Sequence, residues 1–458
     1  MTTQQKQDLT RIVKDALARV DPYEMIRNVI SLDGTMLNID TEAVHDSLDL
    51  ESFTRIVVIG AGKAGAPMAR ALEEILGDRS TEGVVSVKEG HTEPLRTIRL
   101  VEAGHPVPTD LSVTAAREIL ELARSADSST LFLTIISGGG SALLEAPLSA
   151  KIDGEQIDLT LEEIQTTTRV LLESGATIHE VNAVRKHLSA IKGGRLAEAL
   201  APAHSISLIL SDVVGDDLDS IASGLTVPDT TTYRDALAHI VRYGIADRMP
   251  ERVSQVLHAG AEGKVAETPD AGAESFRYVQ NVLVGTNYQA LLAAASAATA
   301  LGYDTLLLTS RLTGEARDVA GFIASVIAEV RAHNRPVTAP ACILFGGETT
   351  VTIRGTGRGG RNQEMALAMV DEMGRNPELY HDTAFLSAAT DGTDGPTDAA
   401  GAFASPAIAL RAAEMRLVCA EYLANNDSYR FFDAIGQLLR TGPTNTNVCD
   451  IQIALISE

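Results

Sequence analysis

Short runs of β-branched and other apolar residues alternate along the chain with longer stretches rich in Ala, Leu, Glu and Arg. Runs of the first kind fit buried strands, stretches of the second kind fit helices, and their alternation is typical of βαβ units. The pattern therefore predicts an α/β fold. The predicted strands lie at residues 55–59, 83–87, 131–136, 206–210, 279–284, 305–308, 341–345, 385–388 and 451–456.

Local patterns also predict how these elements are grouped. The first strand is followed by the turn GAGKAG at 60–65 and by a helix in which Met68, Leu72 and Leu76 recur near the helical period. The strands at 279–284 and 305–308, with a helix between them, are predicted to form another βαβ unit. Residues 259–275 show no amphipathic or alternating period, which predicts a boundary between two domains there.

Most of the predicted strands end in an abrupt polar turn, often rich in glycine. In open parallel sheets ligands bind outside the carboxyl ends of the strands, so these turns are expected to converge on one cleft. The turns are SGGGS at 137–141, SDVVGDD at 211–217, GTN at 285–287, GGE at 346–348 and TDGTDG at 390–395.

Composition and charge exclude several classes of protein. The 458 residues carry 38 Lys and Arg against 61 Asp and Glu, a formal net charge of −23, which argues against a nucleic-acid partner. Three widely spaced cysteines predict neither a disulfide framework nor a structural zinc site. The N-terminus lacks the apolar block of a signal peptide, and no apolar run reaches the length of a membrane span. We expect a reduced, cytoplasmic protein with no membrane partner.

The turn at 60–65 matches the G-x-G-x-x-G fingerprint of dinucleotide-binding proteins, with a strand before it and a helix after it. Glu89 could supply the acid that holds a ribose, but it comes later than the fingerprint requires. Lys63 inside the turn suits a phosphoryl group in transfer better than a neutral nicotinamide. A tight turn with a solvated lysine is the alternative interpretation.

Other segments could bind anions or a cation. The glycines of 137–141 could form an oxyanion nest or a flexible turn, and the basic stretch 182–195 could bind an anion or form a solvated helix face. The loop 355–364 is a second glycine-rich candidate, with Asn362 as the predicted N-cap of the helix that follows. Asp391 and Asp394 could bind Mg²⁺ or belong to structural Asp-Gly turns.

Several long motifs, in order, resemble those of the glycerate 2-kinase family, whose members join an N-terminal associated domain to a MOFRL domain. The resemblance covers almost the whole chain. The motifs are GAGKAG at 60–65, EAGHPVPT at 102–109, SGGGSALL at 137–144, NAVRKHLSAIKGGRLA at 182–197, SDVVGDDLDSIASGLTVPD at 211–229, GETTVTIRGTGRGGRNQE at 347–364 and ATDGTDGPTDAAGA at 389–402.

This resemblance implies a fold, an activity and a set of site residues. It implies a flavodoxin-like or Rossmann-like first domain with a mainly parallel sheet at 1–258, a second, mixed α/β domain at 276–458, and a cleft between them. It implies ATP-dependent phosphorylation of D-glycerate on its 2-hydroxyl, with Mg²⁺ assisting, and a homodimer is a further expectation.

The candidate site residues fall into four groups. The resemblance implies Lys63 and Arg361 as catalytic residues. We assign substrate or phosphate binding to Gly60, Gly62, Ser137, Gly138, Gly139, Gly140, Ser141, Asn182, Arg185 and Lys192. We assign nucleotide binding to Gly347, Glu348, Gly359, Gly360 and Asn362, and metal binding to Asp391 and Asp394. Two rival functions remain, an NAD(P)H-dependent hydroxypyruvate reductase and a non-enzymatic anion sensor.

Overall fold

A computed structural model describes residues 1–80 and 82–457 of the chain. The helices are α1 (Thr3–Arg19), α2 (Pro22–Val29), α3 (Gly65–Leu76), α4 (Asp110–Arg124), α5 (Gly140–Leu143), α6 (Leu161–Glu173), α7 (Ile178–His187), α8 (Arg195–Leu200), α9 (Tyr233–Arg242), α10 (Glu251–Ala261), α11 (Asn287–Ala300), α12 (Ala316–His333), α13 (Arg361–Arg375), α14 (Pro406–Glu414), α15 (Cys419–Ala424) and α16 (Ser428–Ile435).

The strands include one at each of the nine predicted positions. They are β1 (Ile30–Asp33), β2 (Met36–Asp40), β3 (His45–Asp49), β4 (Arg55–Ala61), β5 (Glu82–Lys88), β6 (Ile98–Ala103), β7 (Thr130–Ile136), β8 (Ser149–Ile152), β9 (Glu155–Asp158), β10 (His204–Leu210), β11 (Val279–Gly285), β12 (Asp304–Leu312), β13 (Ala341–Gly347), β14 (Thr383–Ala389), β15 (Gly401–Ala404), β16 (Leu438–Leu439) and β17 (Asp450–Ile456). The predicted α/β class is confirmed.

A six-stranded, mainly parallel sheet has the order β11-β10-β7-β4-β5-β6. The five strands from β10 to β6 pair in parallel. Counted from β4, this order is that of the doubly wound Rossmann fold, since the chain moves one way through β5 and β6 and then the other way through β7, β10 and β11. The direction reverses between β4 and β7, and ligands of such sheets bind beside the carboxyl ends of the strands at this point.

A second six-stranded sheet is mixed and has the order β12-β13-β17-β14-β15-β16. Only β12 and β13 pair in parallel, and the other neighbours are antiparallel. The expected combination of a mainly parallel sheet and a mixed one is therefore confirmed. Two small antiparallel sheets, β1-β2-β3 and β8-β9, complete the strands.

The prediction of a βαβ unit from β11, α11 and β12 is wrong. Strand β11 is the edge of the parallel sheet, whereas β12 is the edge of the mixed sheet. Asn281 in β11 also contacts the parallel-sheet part of the chain, since its side-chain amide donates to Thr226 O at 3.1 Å and its Oδ1 accepts from Thr226 Oγ1 at 2.7 Å.

The chain packs into two compact units. The parallel-sheet unit contains residues 22–211 and 216–284, and the mixed-sheet unit contains residues 1–21, 212–215 and 285–458. Helix α1 thus packs with elements distant in sequence, with Leu9, Ile12 and Ala16 fully buried and Asp8 accepting a hydrogen bond from Tyr303 at 2.8 Å. The domain boundaries expected from the sequence, 1–258 and 276–458, remain a prediction.

Both units have well-formed apolar cores. Strands β7, β14 and β17 are buried along their whole length, as central strands covered on both faces are. Helix α13 buries Met365, Met369 and Met373 against the mixed sheet, so this methionine series belongs to the core as predicted. Over the described residues, no helix is both long enough and apolar enough to cross a membrane.

Replacement of Gly401 by Ala is expected to destabilise the mixed-sheet unit by about 2 kcal/mol or more. A Cβ atom there would lie 1.9 Å from Ser387 O in the neighbouring strand, so the sheet would have to shift. Gly321→Ala is the matched control, because that Cβ would meet nothing within 4 Å on an exposed helix face and should stabilise by about 0.5–1 kcal/mol. Urea unfolding measures both, and equal stabilities would contradict the close approach of these strands.

Candidate functional site

Two glycine turns meet at the point where the parallel sheet reverses direction. The first glycine turn (residues 60–65) follows β4 and the second glycine turn (residues 137–141) follows β7, and these two strands are direct neighbours. A Cβ on Gly60 would lie 1.9 Å from Ile135 O, and one on Gly62 would lie 1.9 Å from Ser137 Oγ. Gly60 and Gly62 therefore allow the two strand ends to approach each other closely.

The backbone N–H groups of the first glycine turn are already used inside the protein. Gly62 N donates to Ser86 O at 3.0 Å, and Lys63 N donates to Gly138 O at 2.9 Å. Ala64 N donates to Ser137 Oγ at 3.1 Å. The turn therefore differs from the phosphate cradle that its sequence suggests, because the donors of such a cradle must point at the ligand.

The second glycine turn keeps donors available. Gly139 adopts a left-handed conformation with φ +81°, which glycine tolerates. In the described part of the chain, the N–H groups of Gly138, Gly139 and Ser141 have no acceptor, whereas Gly140 N donates to Ser137 O at 3.2 Å. This arrangement is suited to an oxyanion. Ser137 is buried and accepts from the first glycine turn, so its hydroxyl holds the two turns together.

Lys63 and His105 lie side by side over Gly139. A Cβ atom on Gly139 would lie 3.0 Å from His105 Nε2 and 3.2 Å from Lys63 Cε, so both side chains cover the same glycine. Burial, followed by the charges of Lys63 and Lys88, lowers the pKa of His105 to about 4, so its imidazole is neutral near pH 7. We did not single out His105 from the sequence, although it lies in the motif EAGHPVPT.

A strained backbone segment brings a second set of polar groups to this turn. Ala222 and Ser223 have φ values of +50° and +57°, which cost non-glycine residues about 1–2 kcal/mol each. Ser223 Oγ lies 2.7 Å from Ser141 Oγ and donates to Asn182 Oδ1 at 2.9 Å. Ser223 was not among the site residues expected from the sequence. Ser141 and Asn182 are brought together as predicted candidates, with Ser223 between them.

Arg185 is the basic residue of the 182–195 stretch that reaches this group. Its NH2 donates to Ser141 O at 3.3 Å. Its Nε is buried and has no hydrogen-bond partner within residues 1–80 and 82–457. Burial lowers the pKa of Arg185, opposed by the charge of Glu145. Such an orphaned guanidinium donor is suited to a carboxylate or phosphate ligand.

The two lysines of the same stretch are buried in ion pairs. Lys192 pairs with Glu145 and also donates to Leu144 O at 3.1 Å. Lys186 pairs with Asp219 and lies 3.3 Å from Asp229. Burial lowers the pKa of Lys192 to about 8 despite the charge of Glu145. Lys192 thus supports the segment after the second glycine turn, and its ammonium is already occupied.

Arg361 is the centre of a charged cluster in the mixed-sheet unit. Its Nε donates to Asp450 Oδ2 at 2.6 Å and its NH2 donates to Asp450 Oδ1 at 2.9 Å. Its NH1 lies 2.8 Å from Glu348 Oε1. These contacts use three of the five guanidinium N–H groups, so two remain for a ligand.

The carboxylates of this cluster differ in exposure, since Asp450 is fully buried and Glu348 is partly exposed. Burial raises the pKa of Asp450, although the hydrogen bonds and charge of Arg361 oppose the shift. Burial also raises the pKa of Glu348, again against Arg361 and helped by the charges of Asp450, Asp212 and Asp391. Both groups lose solvation on burial, and this favours their neutral forms.

Backbone N–H groups in and next to the loop 355–360 donate to the side chains of Asn426 and Asp427, which hold the loop in place. Gly355 N and Arg354 N donate to Asn426 Oδ1 at 3.0 and 2.7 Å, and Arg358 N donates to Asp427 Oδ1 at 2.9 Å. The glycines assigned to nucleotide binding lie where a Cβ atom would clash. That atom would lie 2.2 Å from Leu312 O at Gly347, 2.1 Å from Ser428 Oγ at Gly359 and 2.4 Å from Asp394 at Gly360.

Asn362 and Asp394 together fix the start of helix α13. The N-cap residue is Gly360, not Asn362 as predicted, and Asp394 satisfies the first helical N–H groups in place of an N-cap side chain. Its Oδ1 accepts from Asn362 N at 3.0 Å and its Oδ2 accepts from Gln363 N at 2.8 Å. Burial raises the pKa of Asp394 to about 6. The Asn362 amide oxygen accepts from Ser387 Oγ at 2.6 Å.

The two metal candidates differ in their fitness for Mg²⁺. Both oxygens of Asp394 accept hydrogen bonds from α13, so this carboxylate does not fit a metal. Asp391 is half-buried, with its Oδ1 accepting from Thr393 N at 3.0 Å. No group of three or more His, Cys, Asp or Glu that could hold a metal occurs among the described residues. Of the two candidates only Asp391 could hold Mg²⁺, and it would do so together with the phosphates of a nucleotide.

Comparison with known proteins gives the family. The family model described as a domain of unknown function, DUF4147, matches residues 8–258, and the MOFRL family model matches residues 341–450. A glycerate 2-kinase from Pyrococcus horikoshii is 39% identical over 449 residues, covering 98% of this chain and 96% of that protein. The chain belongs to the glycerate 2-kinase family.

Further relatives of the family agree. A D-glycerate 2-kinase from Thermotoga maritima is 42% identical over 418 residues, covering 90% of this chain and 94% of that protein. The crystal structure of a glycerate kinase from Thermotoga maritima superposes with a TM-score of 0.85 at 38% identity, covering 99% of this chain and 100% of that one. The fold and its element order are thus those of the glycerate 2-kinase family.

Breaking the buried pair of Lys192 and Glu145 is expected to destabilise the parallel-sheet unit by about 3–5 kcal/mol, because one buried charge loses its partner. Glu145→Gln and Lys192→Met test this by urea unfolding. The double variant should lose clearly less than the sum of the two single losses. Additive losses would show that the pair makes no direct contribution.

Proposed function

We propose that this protein transfers the γ-phosphoryl group of ATP to the 2-hydroxyl of D-glycerate, giving 2-phosphoglycerate and ADP. The observation that carries the proposal is the position of the Lys63 side chain over Gly139, in a turn where the N–H groups of Gly138 and Gly139 have no acceptor among the described residues, at the reversal point of the parallel sheet. The names of the relatives, glycerate 2-kinase and D-glycerate 2-kinase, supply the substrate class.

In this reaction the oxygen of the 2-hydroxyl forms a bond to the γ-phosphorus while the bond from that phosphorus to the β-bridging oxygen breaks. Charge spreads over the transferring oxygens in a loose transition state, so catalysis depends on cations and N–H donors placed beforehand. Lys63 and the N–H groups of Gly138 and Gly139 provide such donors. The hydroxyl loses its proton late in a loose transition state, so positioning of the hydroxyl matters more than a strong base.

Arg185, Ser141 and Ser223 are suited to the carboxylate and hydroxyl groups of glycerate. The buried Nε of Arg185 needs an acceptor, and a carboxylate matches the guanidinium fork. The hydroxyls of Ser141 and Ser223 lie 2.7 Å apart and can both donate and accept. We assign the substrate carboxylate to this group.

The cluster around Arg361 is suited to the nucleotide phosphates. Two guanidinium N–H groups remain after Asp450 and Glu348 are satisfied. Asp391 would hold Mg²⁺ jointly with those phosphates, and the ion would supply charge neutralisation of the phosphate oxygens when bound. Asp450 holds the guanidinium in a fixed orientation from a fully buried position.

A nicotinamide-dependent hydroxypyruvate reductase is less compatible with the first glycine turn. Dinucleotide-binding turns direct their N–H groups at the pyrophosphate, but Gly62, Lys63 and Ala64 donate within the protein. Strand β5 ends at Lys88, where the fingerprint expects an acid to accept from the ribose hydroxyl, and Glu89 beyond it is exposed.

Lys63→Ala is expected to lower kcat for glycerate-dependent ADP release by about 10²-fold or more, since it removes a cation from the transferring phosphoryl group. Lys151→Ala, an exposed lysine of the same unit, is the control and should keep wild-type kcat. Phosphorus NMR of the wild-type product should show the 2-phosphate. Turnover of NADH with hydroxypyruvate, with no ADP released, would refute the kinase assignment, and unchanged kcat in Lys63→Ala would refute the role of Lys63.

Arg185→Met is expected to raise KM for D-glycerate by about tenfold to a hundredfold, because a charge-assisted hydrogen bond to the carboxylate is lost. KM for ATP should change little, and circular dichroism should confirm that the variant is folded. Arg169→Met, an exposed arginine of the same unit, provides the comparison. Equal increases of both KM values would contradict a specific contact with glycerate.

A further inference from the structure

Two lysines of the parallel-sheet unit lack the partners that other partly or fully buried lysines have. Lys186 and Lys192 are buried and each pairs with a carboxylate. Lys63 and Lys88 are half-buried, yet neither has a carboxylate oxygen within 4.0 Å in the part of the chain that the structure describes. In a protein of net charge −23, which has many more acids than bases, two half-buried lysines without a carboxylate partner at the ends of neighbouring strands are unusual.

Two histidines adjoin these lysines at the same edge of the sheet. The side chains of His105 and Lys63 both lie over Gly139, as described above. His91 lies in the turn after β5, where its N–H donates to Lys88 O at 2.9 Å. Lys63, Lys88 and His105 come from the ends of the neighbouring strands β4, β5 and β6, so their side chains converge on one region.

The charges of the two lysines act on both histidines. Burial is the main cause that lowers the pKa of both imidazoles, and Lys63 and Lys88 add to the shift in both cases. The acids near this region point elsewhere or remain in solvent. Glu102 is exposed and accepts from Gly90 N at 2.7 Å, and Glu89 is exposed.

We infer that Lys63, Lys88, His91 and His105 form one pocket for a phosphate-type dianion, which we call the dianion pocket. A dianion balances the two lysine charges, whereas a single carboxylate would leave one of them uncompensated. The inference deepens the proposed function and rests on it, because it assigns the transferred phosphoryl group to this pocket and the glycerate carboxylate to Arg185.

The pocket couples anion binding to a proton. A dianion beside His105 favours the imidazolium, so binding raises the pKa of His105 from its value of about 4 in the free protein. A group whose pKa rises on binding takes up a proton when the ligand binds, and affinity therefore increases as the pH falls. His91 responds in the same direction, since burial and the same two lysines lower its pKa.

Sulfate is the probe, because it stays a dianion throughout and does not titrate itself. We expect isothermal titration calorimetry to show sulfate binding that tightens by about tenfold between about pH 7.5 and about pH 5.5. Lys88→Met, which keeps the alkyl stem, should weaken binding by about tenfold at both values. His105→Asn should remove most of the pH dependence. Lys151→Ala, an exposed lysine, should behave as the wild type.

NMR of the histidine Cε1–H signals gives an independent readout. Sulfate should raise the pKa of the signal that disappears in His105→Asn by about 2.5 units, because a group with a free pKa of about 4 needs a shift of that size to produce the tenfold change in affinity. Failure of wild-type protein to release ADP with D-glycerate, with sulfate binding as expected, would overturn the proposed function alone. Normal ADP release with sulfate affinity unchanged in both Lys88→Met and His105→Asn would overturn the dianion pocket alone.

Discussion

The close approach of the ends of β4 and β7 is the constraint on which the candidate site depends. Gly60 and Gly62 permit it, because any side chain at either position would collide with the neighbouring strand end. Once the two turns touch, Gly138 O and Ser137 Oγ of the second turn accept from the N–H groups of Lys63 and Ala64, while Gly62 N donates to Ser86 O in β5. Within the described residues, this leaves the Lys63 side chain and the N–H groups of Gly138, Gly139 and Ser141 for a ligand.

Some basic side chains of the protein are paired with carboxylates and others are not. This difference distinguishes residues with a structural role from residues suited to bind a ligand. Lys186 and Lys192 are neutralised by buried carboxylates and hold the segments around the site in place. Lys63 and Lys88 have no such partner among the described residues, and their charges add to the effect of burial in lowering the pKa of His91 and of His105. Arg361 is intermediate, since two carboxylates orient it but leave two N–H groups open.

Sequence patterns were sufficient for the strands, the α/β class and the location of the glycine-rich turns, because each of these depends on local periodicity and chain reversal. They were not sufficient for sheet membership, since β11 and β12 have similar apolar patterns but belong to different sheets. They also did not show which N–H groups are used internally, so the first glycine turn resembled a phosphate cradle. The roles of Asp394 at the start of α13 and of His105 beside Lys63 depend on contacts between residues distant in sequence.

Helix α1 belongs to the mixed-sheet unit, most of which is encoded after residue 284. During synthesis this helix leaves the ribosome long before the moment at which the elements that cover Leu9 and Ile12 emerge. The parallel-sheet unit, which begins at residue 22, is complete well before that moment. Domains generally fold as units during translation, so we expect the apolar face of α1 to stay uncovered until the residues after 284 have been synthesised.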